Sequence, residues 1–260
     1  MQYLIKSLLV KVYLATLILG TIPISKGWAQ NITQAQLAEK MQHIYRNYDS
    51  IPFLSFDVKF SYSSDTLLGK YKNEQLSGTY TMAGKKAKYR LGNIDFMQND
   101  SFFIAVYNDD QTIIVGAPQT NNIGTKLPLR QMIDSLVNNY FNHYAVTFDS
   151  VGTDTSVINF EGADSLAQLK KFKIMYDNRN YMLSRLSYEF VETVALDSAD
   201  IYTQGTYPQD QQLVIQFSNY RFDNYDLDLY NQSNYIYFDQ GVCKPVGRYA
   251  GFKIYNSRPI

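Results

Sequence analysis

The stretch "LSFDVKFSY", residues 54–62, alternates without a break: Leu54, Phe56, Val58, Phe60 and Tyr62 fall on one side of an extended chain, and Ser55, Asp57, Lys59 and Ser61 on the other. Successive side chains of a strand point to opposite faces, so this segment is a strand with one apolar and one wet face. A packed core, a partner or a greasy ligand could each lie over the apolar side. The segments around it narrow the choice.

Upstream, "TQAQLAEKMQHIYRNYDSI" sets Leu37, Met41, Ile44 and Tyr48 at helical spacing, with Thr33 placed as an N-cap. This predicts an amphipathic helix over Gln34 to Asn47, ended by Pro52. Downstream, "LSGTYTMAGKKAKYRLG" turns at Gly84, and "NDDQ" separates "FFIAVY" from "TIIVGA". Short turns between successive extended runs imply an antiparallel meander. It is interrupted by "LPLRQMIDSLVNNYFNHY", where Leu129, Met132, Ile133, Leu136, Val137, Tyr140 and Phe141 share one helical stripe behind Pro128. Strands resume in "SVINFEG", in a hairpin folded at "DNRN" and in "QQLVIQFSNYRF". The tail "NYIYFDQGVCKPVGRYAGFKIYN" is read as mostly extended, with a bend at Pro245 and Gly247. The expected fold is mainly β (α+β): a strongly curved antiparallel sheet, or incomplete β-barrel, covered on one face by amphipathic helices. Its other face is expected to be polar.

The N-terminal 29 residues carry Lys6 and Lys11, an apolar run from Val12 to Ile24, and small residues around Trp28. This is the pattern of a secretory signal peptide cut after Ala29. An uncleaved anchor is the other reading, but the apolar run is short for a span. Residues 30–260 then form a single domain with a Tyr-rich C-terminal extension from about residue 226. Without Lys6, Lys11 and Lys26, the 24 Lys+Arg fall to 21 against 24 Asp+Glu, a formal charge of −3. No basic field exists to hold nucleic acid. Cys243 stands alone, so no intramolecular disulfide can form. The 23 Tyr and 15 Phe suit strands and amphipathic surfaces better than a helical bundle.

A search for chemistry in the sequence returns little. His43 and His143 have no second ligand at metal spacing, Cys243 has no nearby histidine, and no G-x-S-x-G elbow occurs. Asp223, Asp226 and Asp228 lack the density and glycine of a calcium loop. The reading is therefore a non-enzyme with no cofactor and no metal.

Taken in order, the exported N-terminus, the amphipathic helix, "LSFDVKFSY", "GTYTM...AKYRLG", the hairpin, the second helix, "LKKFKIMYDNRNYMLSRLSYEF" and "LVIQFSNYRF" resemble the LolA/LolB-like family of outer-membrane lipoprotein carriers. The resemblance covers Gln34 to about Tyr225. It implies an apolar cavity between sheet and helices that takes lipoprotein acyl chains or other lipid, in the periplasm, with envelope transport proteins as further partners. No membrane anchor is expected after cleavage. The implied lining is Phe56, Val58, Phe60, Tyr80, Met82, Phe103, Ile113, Val115, Met132, Leu136, Tyr140, Ile174 and Leu186. Where the family's second strand carries Arg-Pro, this chain reads "MAGKKAKYRLG", so Arg90 is the implied counterpart of the family's lid-closing arginine. The alternative is an envelope assembly module that uses the same fold to bind a protein or glycan through its Tyr-rich tail. A hydrolase built on an unrecognised pair of carboxylates ranks below both.

Overall fold

The computed structural model describes residues 30–65, 71–118, 130–139, 141–167, 169–195, 206–222 and 226–257, without the side chains of residues 65, 71, 72, 131, 132, 136, 139, 191–195 and 206–209. The proposed signal peptide and Tyr140 lie outside these residues. So do residues 119–129, with Pro128 and Leu129.

Helix α1 runs Gln34–Ser50 and opens on a reciprocal cap: Thr33 accepts from the Gln36 backbone N–H while the Gln36 side chain accepts from the Thr33 N–H. Its buried residues are Leu37, Met41, Ile44 and Tyr48, the stripe read from the sequence. Strands β1 (Gln30–Asn31), β2 (Phe53–Asp65), β3 (Tyr71–Ala83), β4 (Lys86–Leu91), β5 (Ile94–Gln98), β6 (Phe103–Tyr107) and β7 (Thr112–Gly116) come next, then α2 (Arg130–Asn139). A second run follows as β8 (Tyr144–Val151), β9 (Thr155–Gly162), β10 (Lys171–Asp177), β11 (Leu183–Ala195) and β12 (Thr206–Arg221). The tail adds β13 (Ile236–Asp239) and β14 (Val242–Pro245), which pair with each other, and β15 (Lys253–Asn256), with short 3-10 turns before β13 and between β14 and β15.

The two runs are antiparallel meanders, β2 to β7 and β8 to β12, joined because β12 pairs with β2. The result is one curved, 13-stranded sheet in the order β1-β8-β9-β10-β11-β12-β2-β3-β4-β5-β6-β7-β15. Among the described residues it is mainly β with few helices and does not close into a barrel. The strand of residues 54–62 therefore lies near the middle of the sheet, at the seam between the meanders. The turns fall where the sequence placed them, with Gly84 at φ 61° and Gln111 at φ 47°.

Residues of α1 and α2 share one core with the face of the sheet that carries Phe56, here termed the inner face. Ile133 and Val137 of α2 join Leu37, Met41, Ile44 and Tyr48 against Leu54, Phe56, Val58, Ile158, Phe160, Ile174, Leu186 and Phe217. Polar contacts lock the elements in place. The Leu183 backbone N–H donates to Tyr48 Oη at 3.0 Å, Tyr220 Oη donates to the Leu183 carbonyl at 2.7 Å, and the two hydroxyls are 2.9 Å apart. Tyr45 Oη donates to Asp134 at 2.5 Å, and Arg130 sits over the Tyr45 ring at 4.3 Å while pairing with Asp49 at 3.2 Å. These contacts tie α2 to α1.

Two expectations are corrected. The sheet is not antiparallel throughout: β15 pairs with β7 in parallel, Ile254 opposite Ile113. The outer face is not polar throughout. Over β5 to β7 it carries Met97, Ile104, Val106, Ile113 and Val115, and these pack against Tyr235, Ile236 and Tyr249 of the tail in a second core. Apolar residues occur at consecutive positions in "TIIVG" and "FIAVY", so these strands are apolar on both faces; the outer one is covered by the tail, while Ile114 on the inner one is exposed.

Candidate apolar binding face

The ladder registers trace the inner face across the first meander. Phe56 stands opposite Tyr80, Tyr80 opposite Tyr89, and Tyr89 opposite Phe96. Directly opposed residues bring their side chains together. The ring centroids are 5.3, 4.8 and 4.3 Å apart along this row, and the planes of Tyr80 and Tyr89 differ by 9°. Phe103 and Tyr107 continue the row at 6.2 and 6.4 Å from Phe96. From Phe56 to Phe96 neighbouring rings stack face to face, which turns their rims toward the space above the sheet, whereas Phe103 is tilted against Phe96 and Tyr107 meets it edge-on.

Burial divides this face. Phe56, Ile174 and Leu186 are fully buried, and Val58 and Met82 nearly so, within the core shared with α1. A side chain with no surface accessible to water lines no open cavity, so these positions are packed core. Phe60, Tyr80 and Phe103 are half-buried, as are Tyr89 and Phe96, which the sequence reading missed. The parity of "KAKYRLGNIDFMQ" carries the signal for both, since Tyr89 alternates with Arg90 and Phe96 with Asp95.

The remaining predicted residues separate. Ile113 and Val115 are fully buried, but on the outer face under the tail, and Ile114 takes the inner position on β7. Arg90 stands opposite Thr79 and Asp95 on the outer face and is 68% exposed, with its Nε 3.8 Å from Asp95. It borders an outer groove of about 460 Å³ with Asp57 and Lys59. A strand's alternation allows it no reach to the inner face, so it closes nothing there. Met132 and Leu136 belong to α2, with side chains outside the described set, as is all of Tyr140.

Electrostatics mark the half-buried rings. Burial pushes the Tyr89 phenol up to about 12, with smaller contributions from Tyr80 and Tyr107, and burial alone raises Tyr80. Among the described residues neither hydroxyl has a hydrogen-bond partner. Farther along the same face Tyr188, stacked on Phe172 at 4.8 Å, buries its hydroxyl without a partner among the described residues, and that burial raises its pKa well above the usual value. Buried polar groups are ordinarily paired, so the Tyr188 hydroxyl is an exception inside the core, whereas those of the half-buried Tyr80 and Tyr89 border the accessible part of this face.

Other chemistry is sparse here. Among the described residues no group of three or more His, Cys, Asp and Glu side chains is arranged to hold a metal ion. His143 Nδ1 lies 2.9 Å from Asp164, His43 stacks on Tyr181, and Cys243 is half-buried against the outer core with its thiol raised by burial. Asp226 caps a 3-10 turn by accepting from the Asp228 N–H. Among the described residues no helix is long and apolar enough to cross a membrane.

No family model matches the chain, and no curated protein matches it. Solved structures similar to it include an uncharacterized conserved protein from Thermus thermophilus, with TM-score 0.42 and 3% identity, covering 85% of this chain and 99% of that one. A putative outer membrane lipoprotein-sorting protein domain from Vibrio parahaemolyticus has TM-score 0.33 and 9% identity, covering 77% and 98%. A LolA superfamily protein from Nitrosomonas europaea has TM-score 0.21 and 12% identity, covering 74% and 97%. At such identities no residue role passes from those proteins to this chain.

Proposed function

We propose that this chain is a non-enzymatic lipid- or lipoprotein-binding protein of the periplasm, exported by cleavage after Ala29, whose acyl ligand lies along the half-buried row of the inner face. The observation that carries the reading is the row Tyr80, Tyr89, Phe96 and Phe103: contiguous, aromatic, half-buried and bordered by a solid core. Ring rims give an aliphatic chain continuous contact, and each buried methylene contributes about 0.8 kcal/mol without any catalytic group. The free phenols of Tyr80 and Tyr89 suit the ester or carboxyl end of such a chain. Phe60 and Leu213, also half-buried against the core, extend the surface toward Tyr188. In this reading the helices cover the inner face only in part.

Native mass spectrometry of the protein isolated from its own envelope is expected to show bound lipid, and a fluorescent fatty acid is expected to bind the stripped protein. Tyr89→Ala with Phe96→Ala should weaken that binding at least tenfold. A protein that carries no lipid and binds no apolar probe would sink the proposal.

The second reading, an interaction module, is favoured by one observation. The tail exposes Tyr237 and Phe238 at 48% each, Val242 at 58% and Tyr255 at 60%. Capture of a single protein by crosslinkers placed between Tyr230 and Tyr255 would support it.

A further inference from the structure

Separate from the apolar face, a groove of about 540 Å³ lies between the flank of α1 that carries Glu39, Lys40 and His43 and the strands β1, β8, β9 and β10 with the β10–β11 turn. Its volume falls within the range of small-molecule sites. Aromatic rings form one wall: Tyr181 lies 5.8 Å from His43 and 6.1 Å from Tyr176, with planes within 18° and 20°. Within the same lining the Lys40 ammonium sits 3.6 Å above the centre of the Phe148 ring.

Tyr181 is held at φ 53°, a left-handed conformation that a bulky residue rarely adopts. Its N–H donates to the Asp177 carbonyl at 2.8 Å, closing the turn. Asn or Gly would occupy this position without strain, and an unfavourable backbone kept with a large side chain points to a use for that side chain. Among the described residues, Glu39 and the Gln30 side chain have no hydrogen-bond or ionic partner, and both border the groove.

The lining selects a ligand chemistry. An acyl chain would strip water from Glu39, Lys40 and Asn178 without replacing its hydrogen bonds. A ligand cation would meet Phe148 already occupied by Lys40, and an anion would meet Glu39. A neutral polyhydroxyl ring satisfies the set: its C–H face lies on an aromatic ring while its hydroxyls meet the carboxylate and the amides. We propose that this groove is a saccharide-binding site, with Tyr181 as the stacking residue and Glu39 as a hydroxyl acceptor. It does not depend on the lipid-binding reading.

Saturation-transfer NMR on the full chain, with cellobiose, maltose and chitobiose as probes, tests it. At least one disaccharide is expected to receive saturation at its ring protons. Tyr181→Asn keeps a residue tolerant of the left-handed turn and removes the ring. It is expected to reduce affinity at least tenfold while the melting temperature holds or rises, with fatty-acid binding unchanged. A purely structural tyrosine would instead lower the melting temperature. Glu39→Ala, on an exposed helix position, supplies an independent arm and should weaken binding several-fold. No transfer to any of the three sugars at about 10 mM, a concentration that reports even millimolar Kd values, would overturn the site. So would sugar binding left intact in both variants.

Discussion

At the scale of single residues, three tyrosines on the inner side of the molecule differ through their hydroxyls. Tyr48 accepts from the Leu183 N–H and lies 2.9 Å from Tyr220 Oη, so its hydroxyl completes a network. Tyr188 is also buried but has no partner among the described residues. Removing a paired hydroxyl strands a buried donor at a cost of about 1–3 kcal/mol, whereas removing an unpaired one relieves a desolvation penalty. Tyr48→Phe is therefore expected to be destabilising, and Tyr188→Phe neutral or stabilising, in denaturant unfolding. A Tyr188→Phe loss as large as that of Tyr48→Phe would show that the Tyr188 hydroxyl has a partner after all. Tyr89, also unpaired among the described residues but only half-buried, is the member of this group that a ligand can reach.

At the scale of elements, the tail does work that its sequence does not announce. Tyr235, Ile236 and Tyr249 cover Met97, Ile104, Val106, Ile113 and Val115, and β15 supplies the last strand beside β7. Truncation after Arg221 uncovers that apolar face and leaves β7 as a bare edge, a template for aggregation. The truncated protein is expected to bind an apolar dye strongly and to aggregate at concentrations where the full chain stays dispersed. Light scattering compared between the two forms checks this, and a monodisperse truncated protein would show that the second core is dispensable. Strand β2, in contrast, behaves as its alternation says. Its apolar set enters the core of α1, while Asp57 pairs on the other side with Arg221 at 3.4 Å and accepts from Asn219 at 2.7 Å.

At the scale of the whole molecule, the aromatic content sets a pH dependence. Tyr48, Tyr89 and Tyr235 have phenols raised from 10.0 to about 12, chiefly by burial. In the unfolded chain these groups ionise near 10, and in the folded one they resist until about 12, so between those values the unfolded state holds fewer protons. Their contribution to stability is full below pH 10 and is lost as pH rises toward 12. Thermal melting should be flat against pH on the neutral side and fall across that window, in step with the rise of phenolate absorbance. A melting temperature that stays level through pH 12 would contradict the burial of these rings.

How much of this was legible before the fold was known differs from place to place. The stripe of α1, its Thr33 cap, the turns at Gly84 and "NDDQ", and the alternation of residues 54–62 are local, because each is decided by residues within one or two turns of chain. Those features determined the mainly β class, the pairing of consecutive strands, and the side of β2 that must be hidden from water. What covers each face is a property of distant segments brought together. In "TIIVG" either side could be the hidden one, and only the tail, arriving more than a hundred residues later, decided that Ile113 and Val115 face outward under Tyr235 and Tyr249. Register likewise settled that Arg90 lies away from the inner face, and packing settled which apolar residues are solid core and which keep an open rim. The sequence by itself determined the pattern of each strand; only the tertiary structure decided which faces were filled and which were left accessible, because burial depends on contacts that local periodicity does not encode.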